Sequence, residues 1–141
     1  QTFENETDLT SFEDLTGWIT YLGSNCFNAC LYLTLFVGNN VSGMGYAVFI
    51  QTGLTFINLP SCVTMLIGVF ALCPSLATII LPLCTNLGGT VGDRHVFLTI
   101  NDYQPVVLTV PVALQTCDAG NPDGDIVYLT TTNAGSTIIY V

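Results

Sequence analysis

CVTMLIGVFALCPSLATIILPLC, residues 62–84, is the stretch on which the fold turns. It runs 23 residues without Asp, Glu, Lys, Arg or His, long enough to cross a bilayer as a helix. Three features oppose that reading. Pro74 and Pro82 each remove a helical hydrogen bond. No Lys or Arg flanks the segment to anchor or orient it. Val, Ile, Thr and Phe dominate, and these residues suit pleated, half-buried surfaces. The stretch is therefore read as sheet, with strands over 63–72 and 77–83 folded back at Cys73-Pro74-Ser75.

The same texture extends outward. From Leu15 to Gly92 there are 78 residues without one of those five ionisable side chains. The whole chain of 141 residues has one Lys or Arg, one His and ten acids, for a net charge of −9. Charged residues make up 8 %, against about a quarter in ordinary soluble domains. Hydrophobic residues make up 50 %, which excludes intrinsic disorder. A single cation cannot neutralise a phosphate backbone, so nucleic acid is excluded as a partner. An anionic membrane surface is disfavoured on the same ground. Lipid, sugar or copies of the chain itself remain to cover the uncharged surface.

Turn signals divide the chain into short runs. Strands are expected over 18–22, 31–37, 45–51, 55–59, 63–72, 77–83, 95–101, 106–114, 126–132 and 136–140. Gly-, Asn- and Pro-containing turns separate them. Asn133-Ala134-Gly135 is expected to close a C-terminal hairpin. With no amphipathic crossover helix in view, the fold class is all-β, a mostly antiparallel β-sandwich or jelly roll over 15–141. Residues 1–14 form an extended acidic arm, in which Phe3, Asn5, Thr7 and Leu9 share one face of an extended strand. That face is a candidate assembly arm for a groove in the next subunit.

Six cysteines, Cys26, Cys30, Cys62, Cys73, Cys84 and Cys117, include no C-x-x-C pair. They are read as disulfides formed in an oxidising compartment, with the pairing open. If the chain folds back at Cys73-Pro74, Cys62 and Cys84 meet at the open end of a hairpin. Asn5 and Asn40 head N-glycosylation tripeptides.

Catalytic chemistry is poorly served. His95 is the one imidazole, and neither a G-x-S-x-G elbow nor a phosphate loop with its Lys occurs. The chain is read as no enzyme and as needing no cofactor. The one metal hypothesis is Ca²⁺ on the loop carrying Asp118, Asn121, Asp123 and Asp125, since Ca²⁺ favours oxygen ligands on tight turns.

In overall organisation the chain resembles the β-rich subunits of microbial surface filaments, the donor-strand pilins and the disulfide-linked spore appendages. The resemblance rests on residues 1–9 as an arm, the scattered cysteines and the Thr- and Val-rich strands. It implies a secreted subunit that polymerises with itself into an extracellular filament or coat on a cell surface, through strand exchange and intersubunit disulfides. Two alternatives stand beside it. One is a monomeric secreted module that binds a ligand or carbohydrate through Trp18 and Tyr21 or the 118–125 loop. The other is a membrane-embedded protein.

Overall fold

The computed structural model describes residues 2–88, 96–98, 100, 104–116 and 123–141. Every strand pairing in it is parallel. The antiparallel sandwich is therefore corrected: the described residues wind as a three-sided parallel solenoid, with one α-helix among them.

The first side is built from β1 (Ser11–Glu13), β3 (Leu35–Val37), β5 (Phe56–Asn58), β7 (Thr78–Ile80), β9 (Val107–Val110) and β10 (Thr137–Tyr140). β5, β7, β9 and β10 form one parallel sheet, and β1 and β3 a two-stranded one whose β3 lies against β5. The second side stacks β2 (Tyr21–Leu22), β4 (Gly43–Met44), β6 (Thr64–Met65) and β8 (Asn86–Leu87). In-register partners on this side, such as Tyr21, Gly43, Thr64 and Asn86, lie 21 or 22 residues apart. That spacing is one coil of the solenoid, and it lies in the range of known solenoid repeats.

The third side is made of tight turns. Asn25 and Ala29, Ala47 and Gln51, and Gly68 and Leu72 occupy left-handed backbone at matching places in successive coils. L-residues other than Gly visit that region reluctantly. Here it is held by hydrogen bonds between coils, from Phe27 N to Val48 O, Phe49 N to Val69 O and Phe70 N to Val96 O.

Each coil buries the same positions. Leu33, Leu54 and Leu76 open successive coils, and Met44, Met65 and Leu87 fill the second side. Phe3, Phe27, Phe49, Phe70 and Phe97 stack as a ladder, with centroids 5.3, 5.5, 5.9 and 6.3 Å apart and planes within 9° of parallel. Phe12 and Phe36 stack beside it and meet Phe27 edge-on. Truncating such a buried ring to Ala costs about 3–5 kcal/mol.

The arrangement explains why 62–84 is apolar throughout yet not a hairpin. One coil passes from β6 through the turns of 67–72 to β7, and its apolar residues face the core from three directions in succession. Parallel strands need a crossover of a dozen or more residues. The other two sides of the coil supply it, so no helix is required. Among the described residues no helix is long and apolar enough to cross a membrane.

The C-terminal hairpin is also corrected. Residues Gly124–Thr132 form helix α1, and β10 then joins β9 in parallel, Thr137 opposite Val107. Asp123 caps α1 by accepting a hydrogen bond from Asp125 N at 2.9 Å. This cap and the docking of Ile126 and Leu129 in the core outweigh the strand preference of a β-branched segment. The buried Asn133 then donates from Nδ2 to Ile100 O and Gln104 O, tying the helix end to the preceding coil.

Candidate functional surface

The first side presents a regular outward face. Along each strand the middle residues Phe12, Phe36, Ile57, Ile79 and Leu108 point to the core. Their neighbours point out, as pleating requires. One outward row carries Ser11, Leu35, Phe56, Thr78, Val107 and Thr137. The other carries Glu13, Val37, Asn58, Ile80, Thr109 and Ile139. Leu35, Phe56, Val107 and Ile139 are 43, 48, 37 and 43 % exposed. Val37 and Ile80 are half-buried. Glu13, at one end, is the only ionisable side chain in either row. Such a surface offers apolar area, hydroxyls and an amide for contact. It offers no acid and base in concert for proton transfer.

The second side is more polar. Thr20, Ser42 and Thr85 are exposed at matching coil positions, with Val63 between them. Ser42 Oγ donates to Thr20 O at 3.0 Å. Trp18, 86 % exposed, precedes an open cavity of 460 Å³ lined in part by Phe3, Phe12, Ile19 and Tyr21. Of the two aromatic residues proposed for a ligand, Tyr21 thus lines a cavity and Trp18 stands in the loop beside it.

The acidic arm is part of the first coil. Phe3 N donates to Cys26 O and Asn5 N to Asn28 O. Phe3 and Leu9 pack against the chain's own core, while Asn5 and Thr7 are exposed. Thus the four residues of the candidate assembly arm do not act as one face here. Asn5 adopts left-handed backbone. Asn40 is exposed, and its Nδ2 donates to Gly17 O at 2.8 Å. The two candidate glycan acceptors therefore both stand at the surface.

Asp14 organises the loop that follows β1. Its Oδ1 accepts from Thr16 Oγ1, Thr16 N and Gly17 N, and its Oδ2 from Ile19 N at 2.7 Å. The Thr16 hydroxyl, with the Ile19 amide next, holds its pKa below the ordinary value of 3.8.

Of the proposed calcium ligands, Asp118 and Asn121 lie outside the described residues. Asp123 caps α1. Asp125 is buried, and its Oδ1 accepts from Val96 N at 2.9 Å. No group of three or more metal-ligating side chains occurs among the described residues. The acidic loop thus reads, where it is described, as a helix cap and a tether.

Cys117 also lies outside the described residues. Cys26, Cys30, Cys62, Cys73 and Cys84 are buried, and none of them is bridged to another of the five. Burial pushes the Cys26, Cys30 and Cys73 thiols up. Cys30 Sγ donates to Phe3 O and Cys73 Sγ to Phe49 O, both at 2.9 Å. In these two coils the thiol satisfies the carbonyl of a ladder phenylalanine one coil away. Cys62 and Cys84 do become neighbours, as expected, but as matching positions of stacked parallel coils.

The outward stripe escaped the sequence reading because the repeat did. Its signal was present as Cys26-Phe27, Val48-Phe49, Val69-Phe70 and Val96-Phe97, and as Leu-Pro-x-Cys at 59–62 and 81–84. No protein-family model, curated protein or solved structure matches the chain.

Proposed function

We propose that this chain is a non-catalytic association module that packs laterally against copies of itself through the outward face of its first side. In an extracellular filament or coat, this contact would join the subunits. The observation that carries the reading is the exposed stripe of Leu35, Phe56, Val107 and Ile139. Apolar patches of this kind on a water-facing surface mark interaction sites. The choice of a second copy as occupant follows from charge. Each chain carries −9, so two copies repel except where their surfaces lack charge. Phe56 and Leu35 lie inside the charge-free stretch, where close approach costs least. The core needs no partner to close. A monomer of this mass exposes about 7,100 Å², and the chain exposes 6914 Å². Association would therefore use finished surface, without strand exchange.

Sedimentation equilibrium of the purified chain tests the reading. Reversible, concentration-dependent association is expected. Phe56→Asp should weaken it by about tenfold or more, because the contact would then bury an unpaired carboxylate. Tyr46→Asp, on the turn side, should leave it unchanged. A wild-type chain that stays monomeric at every concentration reached would overturn the proposal.

A further inference from the structure

Cys62 and Cys84 sit in two copies of one turn. Leu59-Pro60-Ser61-Cys62 precedes β6, and Leu81-Pro82-Leu83-Cys84 precedes β8. Each turn closes with the same hydrogen bond, from Cys62 N to Leu59 O at 3.1 Å and from Cys84 N to Leu81 O at 3.2 Å. Two residues on, Thr64 and Asn86 are register partners. The cysteines are therefore stacked one coil apart with side chains pointing the same way into the core. Both are fully buried, and each thiol donates to the carbonyl two residues on, Cys62 Sγ to Thr64 O at 3.6 Å and Cys84 Sγ to Asn86 O at 3.3 Å.

We infer that Cys62 and Cys84 are the site of a disulfide that staples two successive coils, while Cys26, Cys30 and Cys73 remain thiols. Adjacent strands lie about 4.7–4.9 Å apart, inside the Cα separation of about 4.4–6.8 Å that a disulfide spans. The remaining columns do not pair cysteines in this way. Val48 follows Cys26 in the next coil, and Thr52 stands between Cys30 and Cys73. Thr52 Oγ1 lies 3.4 Å from Cys73 Sγ. The column of Cys62 and Cys84 also holds Val41, buried one coil earlier, so it accepts a Val in place of sulfur.

The reaction is thiol–disulfide exchange with a low-molecular-weight disulfide such as oxidised glutathione. One thiol loses its proton to solvent and attacks the oxidant, breaking its S–S bond and releasing one glutathione thiolate. The second thiolate attacks the resulting mixed disulfide, forms the bond between Cys62 and Cys84 and releases the other glutathione. The protein loses two electrons and two protons, and the oxidant gains the electrons. Because both sulfurs are buried, exchange proceeds as the coils form or transiently open.

The full chain is refolded with oxidised glutathione, digested with pepsin in acid and analysed by mass spectrometry, alongside thermal unfolding. A link between Cys62 and Cys84 is expected, with a melting temperature raised by roughly 5–15 °C over the reduced chain. Cys84→Val should fold and show no rise with oxidant. Cys73→Val should keep the full rise. Predominant linkage of another pair, glutathione adducts without a cross-link, or no oxidation under refolding would each overturn the assignment. Should Cys84→Val fail to fold, the peptide map of the wild type alone decides.

Discussion

At the scale of the residue, three carboxylates, those of Asp14, Asp123 and Asp125, accept from backbone amides. Asp14 accepts four hydrogen bonds from the loop it precedes. Its pKa is lowered from 3.8 by the Thr16 hydroxyl and then the Ile19 amide, so folding favours the ionised form. The stabilisation is complete above the unfolded value and is lost as pH falls through the lower folded value. Melting temperatures measured between about pH 2 and 6 should therefore fall more steeply at the acid end for the wild type than for Asp14→Ala. Parallel curves would show that the loop contributes nothing. The acids were legible as polar loop residues. Which amides and hydroxyls they would accept from was not, because a carboxylate's partner depends on backbone brought near by folding.

At the scale of the element, α1 shows where local preference loses to context. Ile126, Val127 and the three threonines at 130–132 argue for a strand, yet the segment is helical. Thr130, Thr131 and Thr132 spend their hydroxyls on carbonyls of the preceding turn, as threonine does inside helices. Asp125 fixes the helix start to the ladder by accepting from Val96 N. Asp125→Ala leaves that buried amide unpaired and should cost about 1–3 kcal/mol in urea unfolding. Asp125→Asn, which keeps an acceptor, should cost less. Equal losses would show that charge rather than the hydrogen bond matters. The strands at 56–58, 78–80 and 107–110 fell within expected strands at 55–59, 77–83 and 106–114. Their direction did not follow, because alternation records which face is buried and says nothing of parallel or antiparallel pairing.

At the scale of the molecule, the spacing of Cys62, Cys73 and Cys84 has a physical origin. Cys62 and Cys84 mark one full coil, and Cys73 sits on another side of it. A hairpin and a coil place the outer two cysteines together equally well, so spacing alone could not choose. The ladder of Phe27, Phe49 and Phe70 could, since a hairpin would not superpose rings from three successive segments. Residues 15–88 of the charge-free stretch belong to successive coils, and the association proposed through the outward face of the first side should respond to acid. As pH falls from 7 to about 4, carboxylates protonate and repulsion between copies weakens. Sedimentation should then show tighter self-association at pH 4.5 than at pH 7, and added salt should narrow the gap. Weaker association in acid would mean that carboxylates make the contact.

The hydrogen bonds between coils all run along the solenoid axis, with the strands lying across it. Tension applied to the two ends is thus parallel to the rungs and falls on one coil at a time, peeling the structure rather than shearing it. Each 22-residue coil set free, such as the one between Thr64 and Asn86, would lengthen the chain by about 70 Å. Under load the molecule is an extensible ribbon that yields stepwise at modest force, and a bond between Cys62 and Cys84 would delete one step from the trace.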